Sequence, residues 1–110
     1  MYGLEENTIS KIKTVFSKFS QIKKVILYGS RAKGNFHNGS DIDITLQGEN
    51  ITLSNTVYPL LDSLDDLYLP YIFDISILAH IKDQNLIDHI NRVGIVFYSQ
   101  NPSNSNPSNS

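Results

Sequence analysis

Residues 27–46 read LYGSRAKGNFHNGSDIDITL, and the order of the pieces constrains everything around them. The apolar run Val25 to Tyr28 stops at Gly29, as a short buried strand does. From Ser30 to Ser40 lies a glycine- and asparagine-rich connection, opening with one helical turn. Asp41 to Leu46 then alternates polar and apolar residues, the pattern of a strand with one buried face. Side chains two apart on a strand share a face, so Asp41 and Asp43 project together while Ile42, Ile44 and Leu46 fill the core side.

Ile9, Ile12, Val15, Phe16 and Phe19 recur at helical spacing and predict an amphipathic helix from Glu5 to Phe19. Leu53, Val57, Leu60, Leu61 and Leu64 suit a second helix whose start Pro59 delays or kinks. Beyond Pro70, YIFDISIL is another strand. Asp83 is placed to cap a last helix carrying Leu86, Ile87, Ile90 and Val93, with Gly94 at its end and IVFY as a final strand. Helix, strand, strand, helix, strand, helix, strand gives an α+β domain with a mixed sheet of about four strands and flanking helices. The 110 residues hold one core. Residues 1–99 are expected to form that domain. Residues 100–110, which contain NPSNS written twice, form a disordered low-complexity tail in this reading.

Composition excludes several classes. Without cysteine there is no disulfide, thiolate metal site or thiol nucleophile. No apolar run approaches the roughly 18 residues of a transmembrane helix. The opening MYGLEENTIS has an acidic pair where a signal peptide carries basic residues, so a cytoplasmic protein is expected. The net charge of −2 does not suggest direct binding to nucleic acid. Basic residues crowd the first third of the chain, which a solvated helix face explains as well as a phosphate-facing one.

Two close carboxylates repel unless a cation lies between them, and Mg²⁺ prefers such oxygen ligands. Asp74 adds a third acid, set in the otherwise apolar IFDISIL where Ser76 is the only other polar residue. If the two strands are neighbours, Asp41, Asp43 and Asp74 converge, enough to hold two divalent ions of the kind that stabilise attacking and leaving oxygens in phosphoryl or nucleotidyl transfer. Gly29 lets the backbone approach a phosphate, Ser30 adds a hydroxyl, and Arg31 or Lys33 adds positive charge. Together these read as a site for a nucleoside triphosphate held by its tail.

Competing patterns fit less well. DIDIT matches the DxDx[TV] signature of haloacid-dehalogenase-type phosphatases, but there the first aspartate ends a strand and here it begins one. An EF-hand lacks its glycine and closing glutamate. His37, His80 and His89 share no metal-ligand spacing and read as structural or exposed; Asp65 and Asp66 read as a solvated turn. Among the tyrosines, Tyr28 beside Gly29 could stack on a base, and Tyr98 reads as core.

GSRAKGNFHNGSDIDI, with a third acid on a later strand, resembles the signature of the nucleotidyltransferase superfamily with the DNA polymerase β-like fold. Within it the chain is most similar to the minimal nucleotidyltransferase (MNT) branch, over Glu5 to Tyr98. The resemblance implies that Gly29 and Ser30 bind the triphosphate of ATP, with Arg31 and Lys33 in support. It implies that Asp41 and Asp43 hold Mg²⁺, and that Asp74 completes the metal site and helps deprotonate an acceptor hydroxyl. Such domains typically pair with a helical HEPN-domain toxin, so the implied role is a type VII-like antitoxin transferring AMP to a tyrosine of that partner. Two alternatives stay open: a binding module that neutralises a HEPN partner without chemistry, and a small-molecule nucleotidyltransferase of the antibiotic-modifying kind.

Overall fold

The computed structural model describes residues 1–37 and 39–100. The tail expected over 100–110 therefore lies, from residue 101 onward, outside the described residues. Among the described residues four strands form one sheet: β1 (Ile22–Tyr28), β2 (Ile42–Gly48), β3 (Phe73–Ile77) and β4 (Ile95–Ser99), in the order β3-β2-β1-β4. β1 is antiparallel to β2 and β4, whereas β2 and β3 run parallel. A parallel neighbour requires a crossover, and the segment between β2 and β3 supplies it. The mixed sheet and flanking helices are those that the sequence pattern implies.

The period-two alternation sorts the sheet into two unlike faces. Val25, Leu27, Ile42, Ile44 and Leu46 are buried on one side. Helix α1 (Glu6–Ser17) lays Ile12, Val15 and Phe16 against them, and α3 (Tyr58–Asp65) adds Leu60 and Leu64. Each such side chain contributes roughly 1.5–3 kcal/mol by leaving water. A bulge in β4 turns consecutive rings to this core: register passes from Val25↔Tyr98 to Ile26↔Val96, leaving Phe97 as the extra residue. Phe97 and Tyr98 then both meet Phe16, at ring separations of 6.1 and 5.6 Å.

Helix α4 (Gln84–Val93) serves the opposite face, and its buried Ile90 stands apart from the main core. Asp83 caps it as expected, its Oδ1 accepting the Asn85 N–H at 2.9 Å. Gly94 ends it for a different reason than the one expected. Its φ of −64° needs no glycine, but a Cβ there would overlap the Ile90 carbonyl and come within 2.8 Å of Ile26 Cγ2. Only a residue without a side chain lets β4 leave the helix so close to β1.

The second helix starts in two stages. A π-helical turn, Leu53–Val57, runs directly into α3, and Pro59 is the second residue of α3. Thr52 and Asn55 cap that turn reciprocally: Asn55 N donates to Thr52 Oγ1 at 3.0 Å and Thr52 N to Asn55 Oδ1 at 2.9 Å. No helix among the described residues is long and apolar enough to cross a membrane.

Candidate functional site

On the face away from the main core, register places Tyr28 of β1 beside Asp43 of β2, and Asp43 beside Asp74 of β3. The strands thus bring the second aspartate of the pair and the third acid into adjacent positions of a single row. Asp41 lies one residue before β2 and is exposed. Its charge still reaches Asp43, whose carboxyl is raised above the ordinary carboxylate range by burial first, then by Asp74 and Asp41, with His89 acting in the opposite direction. Burial, and after it the charges of Asp74 and Asp43, push the Tyr28 hydroxyl up, against a hydrogen bond with Ser76 that favours its ionised form.

Gly29 follows Tyr28 with φ at +75°, a conformation that a side chain opposes, and a Cβ there would run into Asp43 Oδ2. The carboxylate therefore lies directly against the bare backbone of the turn. Helix α2 (Gly29–Lys33) begins at this point, carrying half-buried Ser30 and, at its end, exposed Lys33.

Arg31 turns elsewhere. It is 3% exposed, and its guanidinium donates from Nε and Nη2 to the Ser40 carbonyl at 3.1 and 2.8 Å, and from Nη1 to the Tyr2 carbonyl at 2.9 Å. The cation also lies 5.4 Å from the Phe36 ring centre and 5.0 Å from that of Tyr71. Ser40 is itself fixed, exchanging bonds with His37 through both N and Oγ. Arg31 thus ties the turn that begins with Gly29 to the residue immediately before Asp41. This bond accounts for the spacing between the Gly-Ser pair and the aspartates: the intervening loop is the length that an arginine on α2 can pin.

His89, set aside on sequence grounds, also stands at this site. Its Nε2 accepts the Gly29 N–H at 3.3 Å, and its ring meets Tyr28 edge-on at 6.1 Å. Nothing local in the sequence indicates this, because residue 89 comes from α4. One row further along the sheet, Thr45 and Ser76 are paired in register, and Thr45 Oγ1 and Ser76 Oγ are buried without a hydrogen-bond partner of good geometry. Ser76 is the neighbour of the Tyr28 hydroxyl.

Among the described residues no three His, Cys, Asp or Glu side chains form a ready-made metal cluster. The donor set nevertheless fits Mg²⁺. This ion takes one or two carboxylates plus substrate phosphates and keeps its waters. A carboxyl whose charge is disfavoured by burial and by two neighbouring acids is one that a cation would relieve.

A four-stranded mixed sheet with an acid row against a Gly-Ser turn defines a nucleotidyltransferase-type domain. The chain belongs to the family described as polymerase beta, nucleotidyltransferase, whose model matches residues 10–103. No curated protein matches the sequence. Solved structures share the fold, three of them toxin–antitoxin complexes. A toxin–antitoxin complex with AMP-PNP is similar at TM-score 0.67 and 22% identity, covering 87% of this chain and 74% of the other. A mutant MntA-HpeT toxin–antitoxin follows at TM-score 0.63 and 18% identity, covering 87% and 74%. Tri-AMPylated Shewanella oneidensis HEPN toxin in complex with MNT antitoxin is similar at TM-score 0.62 and 15% identity, covering 87% and 73%.

Proposed function

We propose that this chain is a Mg²⁺-dependent nucleotidyltransferase that moves AMP from ATP to a tyrosine hydroxyl of a HEPN-type partner, acting as an antitoxin in the cytoplasm. The observation that carries the reading is the row Tyr28–Asp43–Asp74 set against the backbone of Gly29. Gly29 and Ser30 receive the triphosphate, with exposed Lys33 available to it. Asp41, Asp43 and Asp74 hold Mg²⁺, which when bound neutralises charge on the transferring phosphoryl group. Asp74 accepts the proton of the acceptor hydroxyl, and the tyrosine oxygen so freed bonds to the α-phosphorus of ATP as the bond to pyrophosphate breaks. Arg31 takes the role of scaffold to this site instead of phosphate contact. Likeness in fold to complexes solved with AMP-PNP and with an AMPylated HEPN toxin supports the choice of nucleotide and partner.

A second reading, a module that binds a HEPN partner without chemistry, is favoured by the position of Asp41, which is exposed and lies before β2 instead of in the row with Asp43 and Asp74. One experiment separates the two. The protein is incubated with α-labelled ATP, Mg²⁺ and the protein encoded by the neighbouring gene, and the label is located by gel and mass spectrometry. Label on a partner tyrosine, abolished by Asp43→Asn, is the expected result. A stable complex with no label refutes the enzymatic reading and leaves the binding module.

A further inference from the structure

The catalytic roles above leave His89 unused, although several contacts converge on it. It reaches from half-way along α4 to the backbone of Gly29, a residue 60 positions earlier, and its ring stands at 82° to that of Tyr28. Gly29 is the least constrained type of residue, held at φ +75°. In this conformation its amide is tied by the imidazole of His89, and the Asp43 carboxylate fills the place where a Cβ would stand. An imidazole accepting through Nε2 in its neutral form carries its proton on Nδ1, so the ring's orientation is fixed by the bond that it makes to Gly29.

We propose that His89 is a positioning residue of the nucleotide site, holding the Gly29 turn and the Tyr28 ring in the conformation that receives the triphosphate of ATP. This rests on the nucleotidyltransferase reading and deepens it. A glycine turn that is already ordered does not have to be ordered by the ligand, and that saving appears as affinity. The hold comes from a helix on the same face of the sheet as the acids, so the position of α4 sets the readiness of the triphosphate turn. The opposite role, in which His89 obstructs the turn until nucleotide displaces it, makes the contrary prediction: removing the ring would tighten binding.

The test is calorimetric titration of AMP-PNP, with Mg²⁺, into the full chain and into His89→Ala and His89→Gln, with thermal melting of each. Glutamine can bring an amide oxygen near the place of Nε2 and so restores the acceptor without the ring. The expected result is about tenfold weaker binding for His89→Ala and recovery to within about threefold of the parent for His89→Gln, at unchanged melting temperature. Binding by His89→Ala as tight as the parent's, or tighter, overturns the inference; so does a glutamine variant as weak as the alanine one. A melting loss above roughly 10 °C assigns His89 to stability and also overturns it. If the parent protein binds no AMP-PNP, the nucleotidyltransferase reading falls with it. If the parent binds and His89→Ala is unaffected, that reading stands and only the role of His89 is lost.

Discussion

Replacing Arg31 with alanine removes a buried cation that donates to the carbonyls of Ser40 and Tyr2 and lies against Phe36 and Tyr71. The Ser40 carbonyl loses both donors that this side chain gives it, and an orphaned buried acceptor costs ~1–3 kcal/mol. The two ring contacts add ~1–2 kcal/mol. Truncation also relieves the arginine of its own desolvation, which holds the net loss near ~3 kcal/mol. At ~4–8 °C per kcal/mol for a domain of this size, melting should fall by ~12–24 °C. Lysine keeps the charge but not the fork that serves Nε and Nη2 together, so Arg31→Lys should recover less than half of the loss. Thermal and urea unfolding followed by circular dichroism read both variants. If Arg31→Ala melts within ~4 °C of the parent, or Arg31→Lys equals the parent, the clamp does not hold the loop and this account of the motif spacing fails.

Two further outcomes follow from the acid row. Burial and two neighbouring acids raise the Asp43 carboxyl in the folded protein, so ionising it costs stability as pH rises from the unfolded value through the folded one. In chelator, Asp43→Asn should therefore melt above the parent at pH 7 while losing AMP transfer, and the gap should close below about pH 4. A variant less stable than the parent at pH 7 would count against repulsion in the row. At Gly29, alanine meets both the positive φ and the Asp43 carboxylate. The conformation alone costs ~1–2 kcal/mol, read as a drop in urea midpoint, and AMP-PNP binding should be lost with it. Unchanged binding in Gly29→Ala would show that the turn is not the triphosphate site.

How much was legible from sequence depended on how local each determinant is. The strands announced themselves because alternation is a property of consecutive residues, and the same period put Asp41 and Asp43 on one face; that Asp74 stands beside Asp43 depends on β2 and β3 being neighbours, which no local pattern displays. Asp83 as a cap is equally local. Arg31 was not legible in this way. A sequence displays its charge, but the turn of its side chain depends on carbonyls at Tyr2 and Ser40 and rings at Phe36 and Tyr71, distant along the chain. His89 failed for the same reason at greater range: it matters because α4 crosses back to the end of β1. Gly94 suggested a helix terminator by its type, whereas the packing against Ile26 and the Ile90 carbonyl is what requires it. The reciprocal cap between Thr52 and Asn55 was available in the sequence and was obscured by Pro59, which drew the helix start toward itself.

The third acid sits on an edge strand of the sheet. β3 is five residues long, has β2 as its one strand neighbour, and is preceded by exposed Ile72. Local opening is cheapest where fewest bonds and buried contacts must be given up. On warming, β3 should therefore peel away while α1, β1 and β2 remain folded, separating Asp74 from Asp43 before the molecule as a whole unfolds. Heat would then silence such a site below the global melting point, and hydrogen exchange at Phe73–Ile77 would report the loss before circular dichroism does.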